Sequence, residues 1–187
     1  MKRIAFLLLA LLLLAGCAPR EDKHPEWGAD LVRIGEDMAA QTPEGFALLE
    51  SNDALAPGGI YYVSWSSGEG RTITDGEGKE ATAYDAQLFV LLKECADEGA
   101  ARGDVSDWMD REGQNYELGE PVEQIENGQS FTVLPLLSAR GDNPYARGVA
   151  AFGVRNNCAV SVELLCADGF SQDATAVLTG FLQGLHY

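Results

Sequence analysis

Three cysteines in the body of the chain, Cys95, Cys158 and Cys166, carry the side chains best suited to covalent chemistry. Cys158 and Cys166 lie on one predicted strand, roughly 26 Å apart in extended geometry, so they cannot bridge each other. A disulfide would therefore join Cys95 to one of these two, and Cys95–Cys166 is the candidate pair. The alternative is that all three thiols are free and pack as small apolar groups. Their spacing does not suit a zinc site, and no metal or other cofactor is predicted.

A fourth cysteine, Cys17, ends an apolar run and precedes a polar segment. Lys2 and Arg3 come before the unbroken apolar residues 4–15, a pattern typical of a secretory signal and too short to span a bilayer. The residues LAGC at 14–17 resemble the lipobox of bacterial lipoproteins. The resemblance implies that the Cys17 sulfur carries a diacylglyceryl group with acyl chains such as palmitate, a stable membrane anchor. The alternative is an ordinary signal peptide, or an uncleaved anchor, with a chance cysteine.

The domain organisation follows from this N-terminal pattern. We predict a lipoprotein signal peptide at 1–16, the lipidated cysteine and a tether at 17–27, and a single domain at 28–187. The tether APREDKHPEW contains two prolines and mixed charge, and ten residues reach at most about 35 Å. The domain is therefore expected close to the extracytoplasmic face of a cell membrane, held through the lipid on Cys17.

The charge balance excludes one class of partner. The chain carries 29 acidic and 13 basic residues, a formal net charge of −16. So acidic a surface repels the phosphates of nucleic acid, and nucleic-acid binding is not expected. The excess of acidic residues could form a docking face for a basic partner or for cations. Solubility explains them more simply, because they are scattered along the chain.

Few residues suggest catalysis. His24 lies in the tether and His186 is the penultimate residue, so a cysteine–histidine pair would have to use a cysteine that faces the predicted core. Asp107 and Asp110 share one face of a predicted helix and could form an acid/base pair or a cation site. A solvated helix face explains the same spacing. No catalytic residue is predicted.

One loop is the candidate partner-binding site. Arg140, Tyr145 and Arg147 place two cations and an aromatic ring between two predicted hairpins. Loops on rigid sheets commonly carry binding residues, and tyrosine and arginine are typical anchors. The alternative is that Tyr145 only covers the end of the sheet.

Hydrophobic periodicity and turn signals predict three helices and eight strands. The helices are expected at 30–41, 96–115 and 171–185, the last with Ser171 as its N-cap. The inward side chains of the first should include Leu31, Ile34 and Met38. The strands are expected at 46–50, 59–66, 71–74, 84–92, 116–125, 130–138, 147–155 and 158–166. Asn127-Gly128 and Asn156-Asn157 predict tight hairpin turns within the last four strands.

The fold class follows from this order of elements. Hairpins imply an antiparallel sheet, and amphipathic helices must cover its apolar faces. We therefore predict an α+β fold in which about six to seven of the strands form one antiparallel sheet, covered by two to three helices. The C-terminal sequence VELLCADGFSQDATAVLTGFLQGLHY resembles PsbP-like domains, which include the DcrB-like lipoproteins and the Ran-binding Mog family. The resemblance spans 59–187 by element order and implies an α-β-α sandwich in a mostly non-enzymatic accessory or partner-binding protein.

The sequence thus favours a lipid-anchored extracytoplasmic accessory or binding module, whose ligand is an envelope protein or a small molecule. Two alternatives stay open. One is a carboxylate-dependent hydrolase of envelope material, which would need two acids in a cleft with separated pKa values. The other is a structural envelope lipoprotein without a specific ligand.

Overall fold

A computed structural model describes residues 31–52, 56, 58–74 and 78–185, which form three helices and ten strands. The helices are α1 (Leu31–Ala39), α2 (Glu98–Asn115) and α3 (Ala174–Gly184). The strands are β1 (Ala47–Ser51), β2 (Ile60–Ser67), β3 (Arg71–Thr74), β4 (Glu80–Ala83), β5 (Ala86–Glu94), β6 (Tyr116–Leu118), β7 (Val122–Glu126), β8 (Gln129–Ala139), β9 (Arg147–Arg155) and β10 (Cys158–Cys166).

Eight of these strands form one antiparallel sheet, which confirms the predicted α+β class. The order is β1-β2-β5-β10-β9-β8-β6, and β7 also pairs with β8. The interior strands β5 and β10 pair along their whole length, from Ala86 opposite Cys166 to Glu94 opposite Cys158. Because a strand turns alternate side chains to opposite faces, this ladder contributes to both sides of the sheet.

The first face of the sheet is apolar and is covered by α1 and α3. It buries one side of β10, which consists of Cys158, Val160, Val162, Leu164 and Cys166. Met38 of α1 is fully buried here, whereas the side chains of Leu31 and Ile34 are outside the described ones. Trp65 of β2 meets Phe181 of α3 edge to face, with ring centroids 5.2 Å apart, a favourable aromatic geometry.

Among the described helices, α2 covers the second face, which is more polar. This helix buries Ala101, Trp108 and Glu112, and the Ala159, Ser161, Glu163 and Leu165 side of β10 lies beneath it. The helix begins at Glu98, not at the predicted residue 96, because the Asp97 side chain caps it by accepting from the Ala100 N–H at 2.8 Å.

The N-cap of α3 also differs from the prediction. Asp173, not Ser171, accepts from the backbone N–H groups of Thr175 and Ala176 at 2.9 and 3.2 Å. A carboxylate at this position satisfies two helix-end donors and interacts favourably with the positive end of the helix dipole. Ser171 lies two residues before this cap.

Two strand predictions were incomplete. The segment predicted as one strand at 116–125 is divided into β6 and β7, which both pair with β8. Pro121 lies between them and has no backbone N–H for a ladder bond. In addition, β3 pairs with an unpredicted strand, β4, in a separate two-stranded ribbon. The sequence of β4, EATA, contains only one residue that favours strands, Thr82, and it follows a glycine-rich segment.

The predicted Asn127-Gly128 turn does more than reverse the chain. Asn127 adopts a left-handed conformation with φ of 49°, as such turns require. Its side-chain Nδ2 donates to the backbone carbonyls of Leu182, Gln183 and Leu185 at 3.3, 3.0 and 2.8 Å. These carbonyls lie at the C-terminal end of α3, where helix carbonyls lack the usual i+4 donor, and Leu182 also accepts from the Leu185 N–H at 3.3 Å. The β7–β8 hairpin therefore fixes the position of α3 on the sheet.

A glycine allows α1 to lie directly on β2. A Cβ atom built on Gly35 would lie 1.7 Å from Cε1 of the fully buried Tyr61 ring. That ring packs among the side chains of the first face and has little room to move, since protein interiors are close-packed. Residue 35 must therefore lack a side chain for α1 to dock.

Replacing Gly35 with alanine tests this contact. Overpacking of this kind costs about 1–3 kcal/mol, so the Gly35→Ala variant should have a lower free energy of unfolding in urea denaturation. Gly103→Ala is the matched control, because Gly103 is exposed on α2 and a Cβ there meets nothing within 4 Å. The control should be more stable by about 0.5–1 kcal/mol. Equal effects of both substitutions would contradict close docking of α1.

Candidate functional site

A cleft of about 350 Å³ opens between α2 and the sheet. Its walls include Arg102, Val105 and Met109 of α2, Glu123 of β7, and Ser130 and Thr132 of β8. Phe152 of β9 is buried at its base. We call this space the α2 cleft. It brings charged, hydroxyl and apolar groups together beside a regular sheet, and a concave site with a few fixed polar groups can orient a ligand.

Glu123 is the oriented charge of the α2 cleft. Its Oε2 accepts from the Ser130 hydroxyl at 2.8 Å and its Oε1 from the Thr132 hydroxyl at 2.7 Å. The Thr132 bond, followed by the Ser130 bond, lowers the pKa of the Glu123 carboxyl below its ordinary value. The group is therefore a fixed, exposed carboxylate near neutral pH, and a carboxylate of this kind can pair with a cation.

A second polar cluster joins the start of α2 to the end of β5. Lys93 Nζ donates to Asp104 Oδ1 at 2.6 Å, and Cys95 Sγ donates to Asp104 Oδ2 at 3.0 Å. Burial, and then the neighbouring Asp104, raises the pKa of the Cys95 thiol to about 11. A thiol with so high a pKa is a poor nucleophile. The cluster fixes α2 to the sheet and keeps Cys95 protonated.

The three described cysteines are free, and their positions argue against the candidate disulfide. Cys95 follows the end of β5 that pairs with Cys158, whereas Cys166 pairs with the opposite end of that strand. Cys95 lies nine residues along from Ala86, the partner of Cys166, so the two cysteines are roughly 30 Å apart, far beyond the reach of a disulfide. Burial raises the pKa of Cys158 to about 12 and that of Cys166 to about 11. These thiols act as small apolar side chains of the core.

The acids singled out on α2 do not converge on a site, whereas another acid of this helix is buried. Asp107 and Asp110 are both exposed, as expected for a solvated helix face. Glu112 has only 7% of its surface exposed. Burial, followed by the nearby Glu163, raises the pKa of Glu112 from 4.5 to about 7, against an opposing effect of Arg111.

Glu163 is the partner that sequence analysis missed. Its carboxylate accepts from the Ser161 hydroxyl at 2.6 Å, and burial raises its pKa. The signal was present, since an acid interrupts the apolar strand sequence VSVELL on the side away from Val162 and Leu164. Two carboxyl groups with raised pKa values, Glu112 of α2 and Glu163 of β10, thus lie between the helix and the sheet. Protonation there removes the cost of burying a charge.

The predicted partner-binding loop is held by internal contacts. Tyr145 is buried, and its hydroxyl donates to Gln87 Oε1 at 2.7 Å. Arg140 Nε donates to the Tyr116 carbonyl at 3.1 Å, and Arg147 Nη2 donates to the Phe170 carbonyl at 2.8 Å. The loop closes one end of the sheet with its aromatic residue turned inward. Recognition of a partner through these residues stays a prediction.

Several predicted residues lie outside the described part of the chain. They are Cys17, His24 and His186. Within the described residues, no group of three or more histidine, cysteine or acidic side chains is placed to hold a metal ion. No helix among those residues has both the length and the apolar character needed to cross a membrane.

Comparison with known proteins gives only distant likenesses. No family model matches this chain, and no curated protein sequence matches it. The extracellular domain of PknH from Mycobacterium tuberculosis is 14% identical to this chain, with a TM-score of 0.36. The match covers 70% of this chain and 66% of that domain, so about a third of the PknH domain has no counterpart in the match. Cyanobacterial PsbP (CyanoP) from Synechocystis is 11% identical, with a TM-score of 0.33 over 73% of this chain and 95% of that protein.

At these TM-scores neither likeness carries an argument about this chain. The α+β architecture rests instead on its own strand order and helix positions. The assignment to PsbP-like domains, which the C-terminal sequence suggested, stays a prediction.

The pair beneath α2 predicts a specific pH dependence. Below about pH 4.5 Glu112 is protonated in both the folded and the unfolded chain, so it does not affect the free energy of unfolding. Between about pH 4.5 and 7 the unfolded chain releases this proton first, and stability falls. Above pH 7 the loss is complete. Glu163, whose pKa is raised in the same direction, adds to it.

Glu112→Gln should reduce this loss of stability. Urea denaturation at about pH 5 and about pH 8 should show a smaller difference for the variant than for the unchanged protein, and a more stable variant at the higher pH. Asp107→Asn removes one carboxylate from the exposed face of the same helix and serves as control. A control variant with the same reduced pH dependence would show that net charge, not burial of Glu112, causes the effect.

Proposed function

We propose that this protein is a lipid-anchored extracytoplasmic binding module. The proposal combines two independent features. The sequence LAGC at 14–17 supports export and an anchor at Cys17, and the α2 cleft supports ligand binding. The cleft is the observation that carries the binding role.

Three properties of the α2 cleft suit a binding site. Its volume of about 350 Å³ lies within the range of roughly 300–1,000 Å³ typical of small-molecule sites. Its polar groups are oriented before any ligand arrives, because Glu123 is held by two hydroxyls. Its sheet wall belongs to β7, β8 and β9, which pair in continuous register. A preorganised site of this kind loses little conformational entropy on binding.

The second candidate function, a carboxylate-dependent hydrolase, is favoured by the Glu112 and Glu163 pair. A carboxyl with a pKa of about 7 can donate a proton at neutral pH. A substrate would have to reach beneath α2, where Glu112 is buried against the sheet. The open cleft with its fixed carboxylate requires no such movement, and binding is the better supported function.

The anchor places the α2 cleft near a membrane surface. Residues 18–27 reach at most about 35 Å from Cys17, so a ligand would be captured in the zone just outside the bilayer. The third reading, a structural lipoprotein without a ligand, requires the anchor but not the cleft. The anchor and the cleft are therefore tested separately.

Metabolic labelling with an alkyne analogue of palmitate tests the anchor. The full-length protein should incorporate the label and sediment with membranes, whereas Cys17→Ala should lose the label, because the acyl chains depend on that sulfur. Cys95→Ala is the matched control, since it removes a cysteine that makes its described contacts within the domain. Label retained in Cys17→Ala, or lost equally in both variants, would contradict lipidation at Cys17.

A further inference from the structure

We propose that the α2 cleft binds a small organic cation, a primary ammonium on a short apolar chain, with Glu123 as its counter-ion. The inference rests on the proposed binding function and names the ligand class. The cation would place its ammonium on the Glu123 carboxylate and its apolar chain against Val105, Met109 and Phe152.

The carboxylate is available for a further donor. An ionised carboxylate has about four lone-pair positions, and each oxygen of Glu123 uses one described hydroxyl bond, from Ser130 or Thr132. The side chain is exposed at the mouth of the cleft. Because the two hydroxyls already fix its orientation, a bound ammonium need not restrict it further. A charge-assisted bond to this oxygen pair is stronger than a neutral one.

The apolar part of the α2 cleft suits a chain and not a bare ion. Val105 and Met109 are half-buried along α2, and Phe152 is buried in β9. An unbranched, polarizable methionine adapts its shape to different apolar groups. A ligand that carried only charge would leave this surface exposed to water, whereas an alkyl chain would cover it.

The basic residue at the α2 cleft does not oppose a cation. Arg102 donates to Glu98 Oε1 through Nε at 3.0 Å and through Nη2 at 2.6 Å. This bond within one helix offsets the Arg102 charge. The formal net charge of −16 also attracts cations to the protein and repels anions.

The experiment uses methionine methyl groups as local probes. The chain has three methionines, of which Met109 lines the α2 cleft and Met38 is fully buried on the opposite face. The full-length protein, labelled with ¹³C at the methionine methyls and held in a zwitterionic detergent, is titrated with n-butylammonium. Butan-1-ol and butyrate serve as the neutral and anionic probes of the same chain length.

We expect the Met109 methyl resonance to shift saturably with n-butylammonium, while that of Met38 stays fixed. Glu123→Gln should weaken the apparent affinity about tenfold, and added salt should weaken binding to the unchanged protein. Glu126→Gln is the matched control, because it removes the same charge from the same strand and should change the affinity less than about twofold. An unchanged Met38 resonance shows that each variant is folded.

Three results would overturn the proposal. They are no response of Met109 to n-butylammonium, an equal response to butan-1-ol, and equal weakening by Glu123→Gln and Glu126→Gln. An equal response to butan-1-ol would leave the α2 cleft as a binding site and reject only the cation. The lipid anchor is measured independently by labelling at Cys17, so failure of one proposal cannot be mistaken for failure of the other.

Discussion

The pairing of β5 with β10 is the constraint on which the distribution of chemistry in this molecule depends. Both strands lie in the interior of the sheet, so the side chains of each strand must suit the helices on both faces. One side of β10 is wholly apolar from Cys158 to Cys166, and it lies under α1 and α3. The other side contains Ser161 and Glu163, and it lies under α2. Polar groups that can bind or titrate are thereby concentrated on the α2 face.

This division also explains why α2 leaves part of the sheet uncovered beside it. The helix buries only Ala101, Trp108 and Glu112, and Asp104 adds bonds to Lys93 and Cys95. Its attachment is thus partly polar and localised at a few points. A helix attached in this way need not cover the sheet completely, and the α2 cleft lies where it does not. By contrast, α3 is held by an apolar stripe and by the Asn127 cap.

The sequence predicted the local features well and the long-range ones poorly. The β9–β10 hairpin and the buried Met38 of α1 follow from alternation, helical spacing and turn residues, each read within a few positions. The break at Pro121 was visible in the sequence, because proline cannot donate a ladder bond, but it was overlooked. The cap of α3 was misplaced because Ser171 and Asp173 are both good N-cap residues two positions apart. The α2 cleft could not be predicted. Glu123 meets Thr132 through strand register, and both meet Met109 only after α2 docks.

The same β5–β10 ladder joins segments that lie far apart in the chain. Ala86 pairs with Cys166, so about 80 residues separate the two ends of this contact. At a synthesis rate of about 5–20 residues per second, β5 would wait roughly 4–16 seconds for its interior neighbour. Until β10 is present, β5 can pair only with β2, and its other edge has no neighbour in the sheet order. For a chain that emerges N-terminus first, this interval is when chaperone protection matters most.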